Sequence, residues 1–518
     1  MMILKRLEGN LYYVAFCLAL VPLLLSRDFT PANELRYLSV ADAASLNHTF
    51  FTFTNHGEPY ADKPPLYFWF VMLGKWLFGT HQMWFLSLLS LVPAIVIVKT
   101  MERWTHAELD KSTASAARML LLTCGFFIVL SVTLRMDMLM CMFIVLALKA
   151  FYQMAVKADT GNRQRWLFPL YVFLAIFSKG PFGLLIPLCS TFVFLWWKGR
   201  LRQFGRYWGW RTWGVLAAGC LLWFGAVYIE GGKDYLDNLL FHQTFDRAVN
   251  AFHHKKPFYF YAVSVWYAMA PWSLLVLVPL IALFRERTIL TDLRRFYCSI
   301  VLSTFILLSC VSSKLEVYLL PAFPFMVYLA ALYLPRFRTT TWLNTLFAVT
   351  AVLFVLILPA IIFLSRREST AYVGQTMVYV AAALLSLCGV LALWNRFRRR
   401  KDLTACVRTL AIGVTCAIFA GGLAVPSLNP WIGYGELCGK ARTLAKSEGA
   451  EGFAAWNMGR AENMDVYLGS PVKVIQGQDR QKIRTLHRTV LMLRERDLKS
   501  LGRNDACVVG PYAVVYIK

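Results

Sequence analysis

Residues 27–45 read RDFTPANELRYLSVADAAS, and residues 56–69 read HGEPYADKPPLYFW. Both stretches belong to a polar segment that separates the first two hydrophobic segments of the chain. A charged loop this early in a membrane protein gathers its ionisable side chains at one face of the bilayer, because charges are costly inside it. The residues that we expect to share this face are Glu34, Arg36, Asp62 and Lys63.

The composition is typical of a membrane protein. Of 518 residues, 58% are hydrophobic and 16% are charged, and the mean hydropathy is +0.52. Apolar runs of about 20 residues recur along the chain, which predicts an all-α polytopic fold in contact with membrane lipids. The formal net charge of +25 does not indicate a nucleic-acid partner. Much of the excess Lys and Arg lies in short loops between apolar runs, as the positive-inside rule requires.

We predict about thirteen transmembrane helices from these runs. They are 10–26, 82–99, 115–132, 137–156, 165–178, 180–197, 212–229, 258–284, 296–312, 316–334, 341–364, 371–394 and 407–428. Under this count the basic loops all fall on one side. The N-terminus is then cytoplasmic, and the C-terminal region lies outside the bacterial inner (plasma) membrane.

The outer side receives the first loop, 27–81, and the loop 230–257. Segment 66–79 is too short and too interrupted to span, so we predict an interfacial helix, and another over 32–46. No cleavage site of small residues follows the first span, which we therefore expect to be retained.

Residues 1–428 are predicted to form the transmembrane domain, and 429–518 a small outer α/β domain. In the latter, apolar stretches predict strands and periodic stretches predict helices: 452–456, 472–475, 489–493 and 506–516 for strands, 435–447 and 480–486 for helices. Cys438 and Cys507 lie in this polar region, and they are either a disulfide pair or free thiols.

Four charged residues stand at the outer ends of predicted spans. Arg135 and Asp137 form either a helix-end salt bridge or a guanidinium and carboxylate that face an outer cavity. Lys179, in the turn FSKGPFG, is either a snorkelling lysine or a cation for a lipid phosphate. Lys314, which opens a span in SSKLEVYLLP, has the same two interpretations.

Asp62 and Lys63 precede two prolines, which hold the backbone extended and both side chains out of a helix. Lysine is a compact charge that suits a phosphate. Aspartate beside it can orient the lysine or bind a cation. His242 lies on the outer loop 230–257 and is either structural or a metal or catalytic residue.

One predicted face therefore offers carboxylates and cations together. Carboxylates suit a general base or a metal, and cations suit an anionic leaving group. A lipid-linked phosphosugar has the matching chemistry, because its phosphate leaves and the acceptor hydroxyl needs a base.

Several motifs occur in a fixed order along this face. They are Asn33-Glu34-Leu35-Arg36-Tyr37, Tyr60-Ala61-Asp62-Lys63-Pro64-Pro65, Arg135-Met136-Asp137, Lys179-Gly180-Pro181, His242, and Lys314 to Pro321. Together they resemble the membrane glycosyltransferases of the GT-C fold. The similarity is to the bacterial aminoarabinose (lipid A) transferases within the protein O-mannosyltransferase superfamily, and it covers roughly residues 10–330.

The resemblance implies transfer of a sugar from an undecaprenyl-phosphate donor with inversion at the anomeric carbon. Our hypothesis is that Lys63, Arg135, Lys179 and Lys314 hold the donor phosphate. The family's catalytic acidic pair falls on Asn33 and Glu34, and because asparagine cannot act as a base, the role passes to Glu34 or Asp137. The resemblance also implies a divalent metal at Asp62 and His242, where Asp shortens the usual glutamate arm.

Other classes of function stay open at this point. A ligase or polymerase of lipid-linked oligosaccharides would share the donor chemistry. A lipid or solute transporter would require charges at mid-membrane and repeated halves, and we find no repeat. The acceptor is lipid A, a protein or a cell-envelope glycan, and the sequence contains no nucleotide-binding glycine pattern.

Overall fold

A computed structural model describes residues 2–157, 162–240, 256–285, 290–337, 340–477, 483, 485–498 and 506–518. The first eleven α-helices are Met2–Ser26 (α1), Arg36–Leu46 (α2), Leu66–Phe78 (α3), Met83–Thr105 (α4), Lys111–Leu122 (α5), Gly125–Val132 (α6), Asp137–Ala155 (α7), Asn162–Lys179 (α8), Phe182–Trp197 (α9), Phe204–Tyr207 (α10) and Trp210–Asp237 (α11).

The next helices of the described chain are Phe260–Ala268 (α12), Ser273–Arg285 (α13), Asp292–Cys310 (α14), Phe323–Phe337 (α15), Thr341–Val355 (α16), Ile357–Ser365 (α17), Thr376–Leu393 (α18), Leu403–Leu423 (α19), Val425–Ile432 (α20), Gly435–Glu448 (α21), Asp465–Leu468 (α22) and Glu495–Leu498 (α23). Short 3₁₀ turns occupy Leu201–Gln203, Glu316–Ala322, Glu368–Val373 and Ala461–Met464, and π-helical turns occupy Pro31–Leu35 and Trp394–Arg398.

The protein is a multi-pass membrane protein. In the described part of the chain, eight helices are long and apolar enough to cross a bilayer, and two bent helix pairs raise the number to ten. One bent pair, α5 and α6, turns by 62° where a single span over 115–132 is predicted. The predicted span 258–284 is also divided, into α12 and α13, and Pro271 lies at the break because it has no N–H to donate. The count of thirteen therefore stays a prediction.

Both predicted interfacial segments are helical, as α3 and as the π-turn that continues into α2. By their contacts the residues form two compact units. Unit 1 contains Met1–Leu20, Ala61–Tyr67 and Ser87–Gly421, and unit 2 contains Val21–Tyr60, Phe68–Leu86 and Gly422–Lys518.

Unit 1 has an aromatic core in which α4, α7, α14 and α15 meet. The Trp104 ring lies edge-on to Tyr297, with centroids 5.2 Å apart, and Tyr297 lies 5.2 Å from Phe325. Phe151 of α7 packs on Phe296 at 5.6 Å. Such aromatic pairs contribute roughly 0.5–1.5 kcal/mol beyond their buried area. They fix the position of the end of α7 that contains Phe151.

Unit 2 contains a two-stranded ribbon, Thr54–Asn55 (β1) and Glu58–Pro59 (β2), and a five-stranded mixed sheet. The strands of the sheet are Gly452–Trp456 (β3), Val472–Ile475 (β4), Thr489–Arg494 (β5), Cys507–Val509 (β6) and Tyr512–Ile517 (β7). Their order in the sheet is β4-β3-β5-β7-β6. β3 pairs in parallel with β4 and β5, and β7 pairs antiparallel with β5 and β6.

The central strand β5 is buried on both faces, and α21 packs against β5 and β7. A strand covered on both faces reads as a continuous apolar run, which is the pattern that 489–493 shows. All four predicted strands lie within this sheet, and 435–447 is helical. The predicted helix over 480–486 falls mostly outside the described residues. The thiols of Cys438 and Cys507 are free, so these two residues do not form a disulfide.

The segment that follows α1 is tied to the C-terminal part of unit 2 by Asp28. Its carboxylate accepts hydrogen bonds from the backbone N–H of Gly435 at 2.6 Å and of Phe29 at 2.8 Å, and from the Tyr467 hydroxyl. Asn429 accepts from the Asp28 N–H at 3.0 Å and donates to a backbone carbonyl of α1 at 2.7 Å. The start of the predicted outer loop therefore has one fixed conformation within unit 2.

We expect Gly433→Ala to destabilise unit 2, because a Cβ at this position would collide with the Asp28 carboxylate. The loss is roughly 1–3 kcal/mol, as for other overpacked sites, measured by thermal unfolding in detergent. Gly439→Ala is the matched control. It lies in α21 with nothing within 4 Å of the added Cβ, so alanine should be neutral or stabilising there. Equal effects of the two substitutions would contradict the role assigned to Gly433.

Candidate active site

Asp137, the first residue of α7, lies between two cations in unit 1. Its side chain is 2% exposed, and one carboxylate oxygen accepts from the Arg135 guanidinium at 3.0 Å. The other oxygen accepts from the Lys179 ammonium, which is 7% exposed. Burying one carboxylate costs several kcal/mol unless it is paired, and here two partners offset the cost. We call these three residues, Arg135, Asp137 and Lys179, the Asp137 cluster. The cluster carries one net positive charge.

The main chain around Arg135 is held by α4. Ser87 donates to the carbonyl of Val132 at 2.9 Å, and Ser90 donates to the carbonyls of Thr133 at 2.7 Å and Arg135 at 3.3 Å. These bonds satisfy the carbonyls at the break between α6 and α7, which the helices leave without partners.

Lys179 is presented by the end of α8. Gly180 follows it with φ +106°, a backbone conformation that residues other than glycine rarely adopt. The Gly180 N–H donates to the carbonyl of Ile176 at 2.7 Å. The Lys179 ammonium lies 4.6 Å from the centroid of the Tyr318 ring, on the turn Glu316–Ala322. A cation over an aromatic face is stabilised without losing its charge.

Lys63 and Asp62 form a local ion pair at 3.0 Å, and both side chains are mostly buried. Lys63 is close enough to Lys179 for their charges to repel. Lys314 is 4% exposed, and its ammonium donates to the carbonyl of Val311 at 2.5 Å. Unit 1 thus brings Lys63 to the Asp137 cluster, while Lys314 bonds to its own loop.

Glu34 belongs to unit 2 and is 1% exposed. Arg27 donates to both of its carboxylate oxygens, at 2.6 and 2.7 Å, in a bidentate pair. Thr30 donates to one of them through its N–H at 2.7 Å and its hydroxyl at 2.8 Å. The neighbouring Asn33 accepts from Arg36 at 3.3 Å. Both oxygens of Glu34 are therefore engaged.

Comparison with known proteins identifies the class to which this geometry belongs. Residues 62–229 match the family described as dolichyl-phosphate-mannose-protein mannosyltransferase. A Serratia proteamaculans protein, named undecaprenyl phosphate-alpha-4-amino-4-deoxy-L-arabinose arabinosyl transferase, is 23% identical over 89% of this chain and 86% of its own. The crystal structure of ArnT from Cupriavidus metallidurans bound to undecaprenyl phosphate matches 99% of this chain and 98% of its own, with TM-score 0.77 and 16% identity. The chain has the GT-C fold and is related to these glycosyltransferases.

The chain is similar to the aminoarabinose transferases and to the protein mannosyltransferase family, as the motifs predict. An Aquifex aeolicus protein of unassigned activity is 25% identical over 61% of this chain. That match spans 63% of the Aquifex protein, which is less than two thirds of its length. The likeness to the Cupriavidus structure shows the shared fold.

The structure brings three of the predicted residues into direct contact, Arg135, Asp137 and Lys179. The predicted metal ligands are not assembled in the described residues. Asp62 is paired with Lys63, His242 lies outside the described part, and no group of three His, Cys, Asp or Glu side chains within that part could hold a metal ion. We derive no catalytic step through a metal.

The sequence analysis missed several residues that position the polar segments. Arg27, the partner of Glu34, lies seven residues before it, and only the Thr30-Pro31 helix start offered a signal that Glu34 is a capping carboxylate. Other missed groups are the carboxylate of Asp42 with Lys75 at 2.6 Å and His81 at 2.7 Å, and that of Asp465 with Ser39 at 3.0 Å and His56 at 3.8 Å.

We expect Asp137→Asn to destabilise unit 1 by about 3–5 kcal/mol, because the substitution leaves two buried cations without their carboxylate. Thermal unfolding in detergent measures the loss. Asp62→Asn is the control, since Asp62 is less deeply buried than Asp137, at 13% against 2% exposed, and its ion pair is with the adjacent Lys63, so the loss should be smaller. Equal losses for the two variants would show that the Asp137 cluster does not organise the unit.

The Asp28 contacts predict a pH dependence for unit 2. Burial raises the pKa of Asp28 above its ordinary value, although hydrogen bonds from Tyr467, Gly435 and Phe29 lower it. Because its pKa is raised, Asp28 stabilises the fold at pH values below the ordinary carboxyl pKa. This contribution is lost as the pH rises through the raised pKa of Asp28. The stability gap between the wild type and Asp28→Asn should therefore narrow as the pH rises from the ordinary carboxyl pKa through the raised pKa of Asp28, measured by thermal unfolding. A gap that widens with pH would contradict the assignment.

Proposed function

We propose that this chain transfers a sugar from an undecaprenyl-phosphate donor to an acceptor at the outer face of the bacterial inner membrane, with inversion at the anomeric carbon. The carrying observation is the Asp137 cluster, a buried carboxylate that fixes two cations beside a third, Lys63. The name of the Serratia relative and the lipid bound to the Cupriavidus enzyme support the donor class. The N-terminus is proposed to be cytoplasmic and the C-terminus periplasmic.

The cations act on the leaving group. When the acceptor oxygen attacks the anomeric carbon, the bond to the donor phosphate breaks and its electron pair stays on the phosphate oxygen. Arg135, Lys179 and Lys63 stabilise that growing negative charge because they are held in place before the reaction begins. Lys314 remains a proposed fourth contact. Asp137 acts as a positioning residue, since both of its oxygens are already occupied by cations.

The hydrogen bonds that the carboxylates make affect which type of acceptor group the protein can use. Glu34 and Asp137 are the two carboxylates expected from the sequence as bases, but each would have to give up a charged hydrogen bond to accept a proton. Asn33 cannot accept one. A hydroxyl acceptor needs a base, whereas a phosphate acceptor is ionised at neutral pH and needs none. We therefore favour an acceptor phosphate, such as that of lipid A, over a protein hydroxyl. A divalent ion at Asp62 and His242 is a separate proposal on which no step rests.

The test supplies the purified protein with the donor named for the Serratia relative and with lipid A, either phosphorylated or enzymatically dephosphorylated. We expect sugar transfer only to phosphorylated lipid A, with the opposite anomeric configuration in the product by NMR. Transfer only to the dephosphorylated lipid would overturn the phosphate acceptor. Consumption only of pyrophosphate-linked oligosaccharides would indicate a ligase or polymerase.

Lys63→Gln should lower turnover by about 100-fold or more, the usual cost of removing one group that stabilises a transition-state anion. Arg399→Gln, at an exposed arginine in unit 1, is the matched control and should leave turnover unchanged. A folded Lys63→Gln enzyme with full turnover would remove Lys63 from the leaving-group site.

A further inference from the structure

A polar pocket of about 330 Å³ lies in unit 1 where α7, α8, α10 and α11 meet. Three arginines line it, Arg165, Arg206 and Arg211, beside the buried side chains of Phe168 and Tyr207. The volume is at the lower end of the roughly 300–1,000 Å³ typical of ligand pockets. We call it the arginine pocket.

The arginine pocket has an excess of positive charge. None of its three arginines forms an ion pair with another described residue. Between positions 157 and 211 the sequence contains nine Lys or Arg residues and one acid, Asp159, which is outside the described part. Three guanidinium groups around one cavity repel each other, and a bound anion relieves that repulsion.

The start of α11 adds further donors to the arginine pocket. Gly209 caps this helix, and a Cβ there would collide with the carbonyl oxygen of Gly205, so only glycine permits the tight approach. The N–H groups of Trp210, Arg211 and Thr212 precede the first intrahelical bond, which Trp213 makes to Gly209. Unpaired N–H groups and the helix dipole favour an anion at this end.

The arginine pocket is separate from the candidate active site. Asp137 begins α7, and Met154, which lines the pocket, lies near its other end. At 1.5 Å per residue, 17 residues of helix separate the two by about 26 Å. Lys179 and Arg165 lie at opposite ends of α8 in the same way. The two sites therefore face opposite leaflets.

Two exposed tryptophans lie close to Arg211 of the arginine pocket, and Trp210 also lines the pocket. Trp210 is 77% exposed and Trp166 is 48% exposed. The Arg211 guanidinium lies 5.4 Å from the Trp210 ring and 6.0 Å from the Trp166 ring. Exposed tryptophan at the ends of transmembrane helices marks the headgroup level of a bilayer. This places the pocket at the depth of lipid phosphates.

We propose that the arginine pocket binds the phosphate of an anionic phospholipid headgroup, in the leaflet opposite to the Asp137 cluster. Basic pockets between transmembrane helices suit such headgroups. Arginine binds phosphate in a bidentate manner, and the tryptophans contact the glycerol and upper acyl region. This inference does not depend on the proposed sugar transfer.

The experiment uses the full chain, purified and delipidated in detergent, and native mass spectrometry to count bound lipid. The probes are cardiolipin, phosphatidylglycerol, phosphatidylcholine and inorganic phosphate. We expect the wild type to retain the two anionic lipids in preference to phosphatidylcholine. Arg165→Gln combined with Arg211→Gln should weaken anionic-lipid binding roughly tenfold or more. Arg399→Gln should bind as the wild type does.

Arg206→Gln, at an exposed pocket arginine, gives a second variant that should fold even if the double variant does not, and it should show a smaller loss. Cardiolipin should raise the unfolding temperature of the wild type more than that of either pocket variant. Unchanged lipid binding in the pocket variants, or equal retention of phosphatidylcholine, would overturn the proposal. Displacement of the lipid by inorganic phosphate at equal concentration would show a site for soluble anions instead.

Discussion

The carboxylate of Asp137 is the constraint on which the unit 1 site depends. It starts α7, and it draws Arg135 from the preceding loop and Lys179 from the end of α8 to one point. Because Asp137 is 2% exposed, the loss of either cation would leave one of its buried carboxylate oxygens without a charged partner. The arrangement keeps one net positive charge in place before any substrate arrives. A phosphate leaving group meets donors that need no reorganisation.

Unit 2 also contains buried carboxylates, and there they hold polar segments of the chain in place. The carboxylate of Asp28 collects backbone N–H groups and the Tyr467 hydroxyl, and glycines at 433 and 435 let the chain come close enough. Glu34 is fixed by Arg27 and by the start of its own helical turn. Segments that look like an open polar loop in the sequence are thus ordered by buried carboxylates. The polar side chains of these segments stabilise the fold as well as supplying candidate site residues.

Much of this could be predicted from the sequence, because it depends on local patterns. Apolar runs located the long helices, and the alternation of short apolar and polar stretches located the strands of the C-terminal sheet. The pairing of Arg135 with Asp137 was visible from their two-residue separation. Helix breaks were not visible, since Pro271 is one of many prolines in apolar runs and only packing decides which one ends a helix.

Contacts between distant positions account for what the sequence could not reveal. Asp137 and Lys179 are 42 residues apart, and Asp28 and Tyr467 are 439 apart. No local period links such residues. Their carboxylates were recognisable as candidates, but whether each was free for chemistry or bound to a cation depended on the folded chain. The role expected for Glu34 and Asp137 as bases stays a prediction, to which the structure adds the cations that each carboxylate binds.

The length of α8 has a consequence for the membrane itself. Only 14 residues separate Arg165 from Lys179, which is about 21 Å of helix. The hydrocarbon core of a typical bilayer is about 30 Å thick. A helix with charges this close together is accommodated by local thinning of the lipid or by reach of its long side chains. Where the lipid thins beside α8, the headgroups of the two leaflets lie closer together, and a lipid-borne phosphate there sits at a depth that is hydrocarbon in the surrounding bilayer.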